Sequence, residues 1–345
     1  MPPAQPTHRY APEGEYEDLL SLWADLESAL SVLLSKPLLI QDFAGKIRQF
    51  DAWLQDLVAH DTDAALYLMF QLASTSTVGY SASHALVCGT LCHIMALDLA
   101  LPAHERDSLV RAALTMNIGM TALQDELAAQ HERPTASQQE AIKSHPLESQ
   151  ALLERLYITD SLWLEVVEEH HATTPLRLPL AQEAPKNRLI RILSTMDRYA
   201  AMISPRRSRA GRSATDSLRV IVGQEGTHRD EVGYTLVRSI GLCPPGTFVR
   251  LDNGETGIVL RRSSKANHPL VASLVDSAGA HCSPPALYQT AQGKPHIQAA
   301  VARSAVGVEL DQRTMARLGL FAAHRRATER RPLASAAAQP SATLL

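Results

Sequence analysis

Apolar residues recur at helical spacing through most of the first 240 positions. In the first such segment, Leu19, Leu22, Trp23, Leu26 and Leu30 follow the i, i+3, i+4 pattern of an amphipathic helix. The same pattern predicts a second helix at about 40–58 and a third that begins after Asp61, a typical N-cap residue. Further helices are predicted at 81–99, 108–117, 138–157, 161–171, 188–202, 216–222 and 230–240. The sequence therefore predicts a mainly α protein.

The pattern changes at Gly241. Apolar runs at 248–251 and 257–260 flank the turn-forming pair Asn253-Gly254, which is typical of a β-hairpin. Two more runs, 271–275 and 297–301, are suited to further strands. A small β unit thus follows the helices.

These transitions divide the chain into five predicted parts. Residues 1–14 are proline-rich and are expected to be disordered, and 15–73 form an N-terminal helical region. A helical domain spans 74–240, and the β unit spans 241–303. Residues 304–345 are expected to be a basic tail, helical or disordered.

Composition is that of an ordinary globular protein and excludes a general polyanion binder. Hydrophobic residues make up 45% of the 345 positions and charged residues 20%, with a net charge of -3. Such a balance gives no global field to attract DNA, so any anion binding has to be local.

Cysteine usage and the apolar windows bear on location. The four cysteines form no Cys-x-x-Cys pair, which favours a reducing, cytoplasmic setting. The N-terminus lacks the basic-then-apolar pattern of a signal peptide. The most apolar window, 85–101, contains His93 and Asp98, so we expect a buried helix and no membrane span.

Five polar residues stand out from the apolar helices between 80 and 200. They are His84, His145, His170, His171 and Asp197. Imidazole and carboxylate together suit a divalent metal such as Fe, Mn, Zn or Ni, which helices of a bundle can hold between them. Metal-activated water would then serve hydrolysis, most simply of a phosphate ester. Taken singly, each histidine is better explained as a hydrogen-bonded core or surface residue, and it is the order and spacing of all five that favour a metal site.

Two other clusters have competing interpretations. His84, Cys88 and Cys92 form a stripe at i, i+4 and i+8 that could be a soft-metal or redox site, but buried cysteine behaves as a small hydrophobe, and we favour core packing for both cysteines. Arg206 and Arg209 lie in a basic segment that either binds phosphate or is a solvated loop.

Several segments, taken in order, resemble the HD-GYP domain family. They are Tyr80-Ser-Ala-Ser-His84, Ala112-Ala-Leu-Thr-Met-Asn-Ile-Gly119, Lys143-Ser-His145-Pro, His170-His171, Ile192-Leu-Ser-Thr-Met-Asp197 and Ile240-Gly-Leu-Cys-Pro-Pro-Gly246. The resemblance extends over about 78–265. It implies an HD-type helical bundle with a two- or three-metal centre that hydrolyses the bacterial second messenger cyclic di-GMP.

The resemblance also assigns roles to individual residues. It places His84, His145, His170, His171 and Asp197 at metal-ligand positions of the family. It places Arg206 and Arg209 in the segment that holds a phosphate of the ligand, a role that suits a planar guanidinium.

The chain departs from the family where the chemistry is concentrated. Met116-Asn117 occupies the position of the His-Asp pair, Met120 replaces a lysine, and Tyr80 stands where the three-metal subgroup has a glutamate. The Gly-Tyr-Pro loop is replaced by the sequence that begins at Ala172. No residue is therefore assigned as catalytic, and Asp197 is the one anionic ligand left.

Two functions follow from this pattern. Because two divalent ions repel unless anions bridge them, we expect a single ion or none. The first hypothesis is a degenerate HD-GYP-like protein in cyclic di-GMP signalling that senses the nucleotide or docks a partner such as a diguanylate cyclase, with hydrolysis lost or weak. The alternative is an active metal-dependent cyclic di-GMP phosphodiesterase with a remodelled site.

Overall fold

A computed structural model describes residues 14–75, 78–172, 178–223, 231–265, 267–306 and 318. The N-terminal segment predicted to be disordered, except for Gly14, and nearly all of the predicted basic tail lie outside these residues. So do residues 173–177 of the segment that replaces the Gly-Tyr-Pro loop.

Helices dominate the described chain, as the hydrophobic periodicity predicts. Their bounds are α1 Gly14–Ser35, α2 Phe43–His60, α3 Thr62–Thr75, α4 Tyr80–Asp98, α5 Ala103–Thr115, α6 Thr121–Ala129, α7 Ala136–Arg155, α8 Ser161–Glu169, α9 Pro185–Ile203, α10 Ala214–Gly223 and α11 Glu231–Ile240. Helix α6 was not predicted. It follows a short 3-10 helix, Ile118–Met120, where the prediction had ended the helical pattern.

Helix α4 is the centre of the bundle. Every residue from Ser81 to Ala96 is buried, and the helix packs against α5 and α9. It is long and apolar enough to cross a membrane by length and composition, but 89% of its apolar window is buried inside the protein. Within the described residues α4 is therefore a core helix, as predicted for this window.

The N-terminal helices share the core of the bundle. Trp23, Leu26 and Leu30 of α1 belong to the same apolar cluster as Leu86 and Leu91 of α4. A single continuous core of this kind buries the apolar stripe of each helix against its neighbours, which is what stabilises amphipathic helices in water.

The β unit is one antiparallel sheet with strand order β4-β3-β2-β1-β5. Its strands are β1 Phe248–Leu251, β2 Thr256–Arg261, β3 Leu270–Val275, β4 His281–Gln289 and β5 Ile297–Val301. Strand β4 was not predicted because it contains Pro284-Pro285. Proline cannot donate to a ladder hydrogen bond, and β4 tolerates it at the edge of the sheet.

The sheet is fastened to helix α3 by buried charges. Arg261 of β2 donates to both carboxylate oxygens of Asp61, at 2.9 and 3.1 Å, and lies 3.3 Å from Asp63. Asp61 also accepts from the backbone amides that begin α3, which confirms it as the predicted cap. Gly246 allows a close approach here, because its φ is 89° and a Cβ would lie 2.8 Å from Phe70.

Candidate metal centre

Four helices contribute the polar residues that the sequence singled out. His84 lies on α4, His145 on α7, and Asp197 on α9, while His170 and His171 follow the last residue of α8. Helix α4 packs against α9, and α8 packs against both α7 and α9. The bundle thus brings together residues up to 113 positions apart in the sequence.

The side chains form two groups with metal-ligand spacing. His145, His170 and His171 make up the first group, which we call the three-histidine group. His84, Cys88 and Asp197 make up the second. Within each group all potential ligand atoms lie within 4.8 Å of one another.

The three-histidine group has two imidazoles in a fixed tautomer. The Nδ1 atom of His145 lies 2.5 Å from the carbonyl oxygen of Ile142, and Nδ1 of His170 lies 2.6 Å from that of Val167. A carbonyl only accepts, so each Nδ1 carries the proton and each Nε2 presents a lone pair. The two Nε2 atoms face each other at 3.2 Å. Two buried lone pairs at that distance repel unless a cation lies between them, so this group fits a metal ion.

Pro146 explains how His145 obtains its carbonyl. In an α-helix the amide of residue 146 would donate to the carbonyl of residue 142, but proline has no amide proton. The carbonyl of Ile142 is therefore free to accept from His145. The Ser-His-Pro sequence thus orients the imidazole by removing a competing backbone donor.

The end of α8 positions the adjacent histidines. The helix ends at Glu169, and His170 is its C-terminal cap with the backbone carbonyl held by the Ser194 hydroxyl. The ring centroids of His170 and His171 are 4.1 Å apart, and His170 is buried while His171 is exposed. A turn at a helix end therefore lets two neighbouring side chains reach one site.

Burial keeps two imidazoles of the three-histidine group neutral. It lowers the pKa of His170 to about 3, and the neighbouring imidazole of His171 acts in the same direction. Burial also lowers the pKa of His145, against the hydrogen bond to Ile142. Neutral imidazole is the form that binds metal ions, so His145 and His170 are in a ligating state at neutral pH.

The second group contains the one carboxylate. The Nε2 atom of His84 lies 2.8 Å from Oδ1 of Asp197, and Sγ of Cys88 lies 3.6 Å from the same nitrogen. Burial opposes ionisation of Asp197, but the hydrogen bond from His84 and the nearby imidazoles hold the pKa of its carboxyl well below the ordinary value. Among the described residues the opposite ring nitrogen of His84, Nδ1, has no hydrogen-bond partner, so no backbone acceptor there fixes its tautomer.

Tyr80 lies between His84 and an arginine. The ring of Tyr80 stacks on that of His84 with centroids 5.6 Å apart, and the guanidinium carbon of Arg206 lies 4.8 Å from the centroid of the Tyr80 ring. Arg206 also donates to the Tyr80 hydroxyl at 3.1 Å. Tyr80 thus holds the guanidinium of Arg206 close to the second group.

Arg206 and Arg209 are held together by their backbones. Each amide donates to the carbonyl of the other at 2.9 Å, in an isolated antiparallel bridge. Arg209 is exposed, and its guanidinium donates to the carbonyl of Ala201. The pair is a compact turn that presents two cations next to Tyr80.

Met116 and Asn117 lie at the end of α5, and neither side chain carries a charge. Met116 is buried, and Asn117 is half-buried at the start of the short 3-10 helix. The same 3-10 helix lines a cavity of about 870 Å³ that reaches His145. Gly119 is required there, because a Cβ would lie 2.8 Å from the backbone nitrogen of Ser149.

Sequence reasoning found every histidine of the two groups but assigned Cys88 to the core. The cysteine is fully buried, as that assignment requires, and it also faces His84. The i, i+4 spacing of His84 and Cys88 on one helix was the available signal.

The resemblance of the sequence to the HD-GYP family is confirmed by a curated relative. No family model matches the chain. A curated relative, cyclic di-GMP phosphodiesterase PA4108 of Pseudomonas aeruginosa, is 27% identical over 194 residues, which is 54% of this chain and 46% of the relative. The match thus spans about half the length of that relative.

A solved structure is also similar. Bd1817, a HDG"Y"P protein from Bdellovibrio bacteriovorus, matches with 13% sequence identity and a TM-score of 0.47, over 67% of this chain and 73% of that one.

Proposed function

We propose that this chain is a metal-binding HD-GYP-like protein of bacterial cyclic di-GMP signalling, which acts in the cytoplasm as a nucleotide sensor or interaction module and hydrolyses the nucleotide slowly or not at all. The observation that carries the metal assignment is the pair of opposed Nε2 lone pairs of His145 and His170, 3.2 Å apart. The similarity to a cyclic di-GMP phosphodiesterase supports the nucleotide.

The residues would share the work of binding. His145, His170 and His171 would hold a divalent ion such as Fe, Mn, Zn or Ni, with His84 and Asp197 beside it. A bound ion of this kind supplies Lewis acidity toward a phosphate oxygen. Arg206 and Arg209 offer guanidinium groups for a phosphate of the nucleotide.

Charge is the reason to expect weak hydrolysis. Two-metal phosphoester hydrolysis needs a clamp on the attacking and the leaving oxygen, and closely spaced cations need anions between them. Among the described residues of the two groups, Asp197 is the one carboxylate. Met116 and Asn117 are neutral, so they supply no further anion. Binding without efficient turnover is the expected behaviour.

The test combines calorimetry with product analysis. Metal-loaded protein is titrated with cyclic di-GMP, and the same mixture is analysed chromatographically for linear product. We expect saturable binding with little product, weaker binding by Arg206→Ala, and unchanged binding by Arg219→Ala, since Arg219 is an exposed arginine on α10. Absence of binding by the metal-loaded wild type would contradict the nucleotide assignment, and a signalling protein such as a diguanylate cyclase would then be the ligand to test.

An active phosphodiesterase is the second candidate. It is favoured by the five retained ligand-type side chains, His84, His145, His170, His171 and Asp197, which lie in two compact groups. Rapid turnover with added Mn or Fe, abolished by His170→Ala, would establish this alternative in place of the sensor.

A further inference from the structure

Cys88 occupies a different environment from the cysteine one turn further along the same helix. Both Cys88 and Cys92 are fully buried on α4. Only the first of them has its sulfur against a metal-binding side chain in the described structure, at 3.6 Å from Nε2 of His84. Core packing accounts for the burial of both residues but not for this contact.

Nε2 of His84 faces two neighbours at once. It lies 2.8 Å from Oδ1 of Asp197 as well as 3.6 Å from the sulfur of Cys88. A ring nitrogen either donates its proton to the ionised carboxylate or offers its lone pair to the thiol, and sulfur is only a weak acceptor. A bound ion, in contrast, can contact the nitrogen, the oxygen and the sulfur together.

The spacing of the sulfur and the nitrogen suits a common ion. Bonds of about 2.3 Å to sulfur and 2.0–2.1 Å to imidazole nitrogen, at a tetrahedral angle, put the two ligand atoms about 3.5 Å apart. The sulfur of Cys88 and Nε2 of His84 are 3.6 Å apart, and the carboxylate of Asp197 completes a set within 4.8 Å. The 2.8 Å between Nε2 of His84 and Oδ1 of Asp197 is a hydrogen-bond distance, which would lengthen on metal binding.

Resting on the metal-binding function proposed above, we propose that His84, Cys88 and Asp197 form a second ligand set in which the sulfur of Cys88 binds a borderline-soft ion such as Zn²⁺ or Co²⁺ in preference to Mg²⁺ or Mn²⁺. On coordination the S–H bond is replaced by a sulfur–metal bond and its proton leaves to solvent, while the proton of His84 moves from Nε2 to Nδ1 so that the Nε2 lone pair can bind the ion. Thiolate and carboxylate together then balance the two charges of the ion.

A bound cation supplies the reason for the sulfur to ionise, because a coordinating thiol is deprotonated outright.

Cobalt provides a spectroscopic test. Metal-free full-length protein is titrated with Co²⁺, and the thiolate-to-cobalt charge-transfer absorption in the near ultraviolet is recorded alongside the bound cobalt per chain. We expect the absorption in wild type and in Cys92→Ser, which is the matched control, and its loss in Cys88→Ser and Cys88→Ala. The affinity for Zn²⁺ is measured in competition with Mn²⁺. Cys88→Ser should reduce it by about 10- to 100-fold, since even the loss of an outer-shell partner has an effect of that size.

The outcomes separate this inference from the proposed function. Binding of cobalt with no thiolate absorption, or absorption that persists in both Cys88 variants, would overturn the role of Cys88 and leave the three-histidine group intact. Failure of the wild type to bind any divalent ion would overturn both. If both Cys88 variants are unfolded by circular dichroism, X-ray absorption of zinc-loaded wild type decides, because absence of sulfur scattering at about 2.3 Å contradicts the proposal.

Discussion

His145 and His170 point their Nε2 atoms at each other across 3.2 Å, while each Nδ1 is turned to a backbone carbonyl of its own helix. The hydrogen bonds decide which nitrogen carries the proton, and burial keeps both rings neutral. This arrangement is unfavourable in an empty protein and favourable around a cation. Metal binding at this site therefore depends on the two hydrogen bonds that fix the orientation of these imidazoles.

Replacement of Pro146 should weaken metal binding while the fold gains stability. In Pro146→Ala the restored amide competes with His145 for the carbonyl of Ile142, so the ring loses its fixed orientation. We expect metal affinity to fall about 10- to 100-fold, as for other second-shell losses. Removing proline from a helix interior stabilises it by up to about 3 kcal/mol. Metal titration and thermal melting of the same variant measure the two effects.

The control for that experiment is a neighbouring residue that leaves the carbonyl alone. Leu147 is an exposed residue on the same helix, and Leu147→Ala should change neither metal affinity nor melting by much. A Pro146→Ala protein that binds metal as tightly as wild type would show that the carbonyl does not position His145.

Acid should destabilise the protein through His93. Burial lowers the pKa of this side chain to about 4, reinforced by the charge of Arg106 and opposed by that of Asp107. The unfolded chain then binds the extra proton between about pH 6.5 and 4, so stability is lost as the pH falls through this window, by up to about 1.4 kcal/mol per unit.

Denaturant unfolding of metal-free protein at several pH values measures this slope. His93→Leu should reduce the slope between pH 6.5 and 4, whereas His131→Leu, at an exposed histidine, should leave it unchanged. An unchanged slope in His93→Leu would mean that this imidazole is not held neutral by burial.

The ion pair between β2 and the start of α3 should be a major link between sheet and bundle. Arg261→Ala removes the guanidinium that Asp61 and Asp63 share, and of these two buried carboxylates Asp63 keeps its ion pair with Arg262. Breaking a buried pair in this way costs about 3–5 kcal/mol of unfolding free energy. The exposed pair of Arg219 and Asp216 offers the comparison, because Arg219→Ala should cost no more than about 1 kcal/mol. Equal effects of the two substitutions on chemical denaturation would contradict a structural role for Arg261.

Local sequence patterns predicted the parts of the fold that depend on local physics. The stripe of Leu26 and Leu30 predicted α1, and the Asn253-Gly254 turn predicted the hairpin of β1 and β2. Strand β4 was missed because edge position, which permits Pro285, is a property of the assembled sheet. Sequence alone does not state which strand lies at the edge.

For the candidate site, the sequence likewise predicted the residues but not their arrangement. Residue type and order singled out His84, His145, His170, His171 and Asp197. Their separation into two groups, and the contact of Cys88 with one of them, depend on the packing of α4, α7, α8 and α9. The hydrogen bond of His145 to the carbonyl that Pro146 leaves free could not be predicted either, because it depends on the rotamer of the histidine. The proline that frees the carbonyl is nevertheless visible in the sequence.

The most direct test of a metal-binding centre is the metal content of protein purified without chelators, measured by inductively coupled plasma mass spectrometry. The account predicts at least one equivalent of a transition metal in wild type and in His131→Ala, an exposed histidine away from the site, and a clear loss in His170→Ala. Metal content near zero in the wild type, unchanged after incubation with Zn²⁺, Mn²⁺ or Fe²⁺, would contradict it.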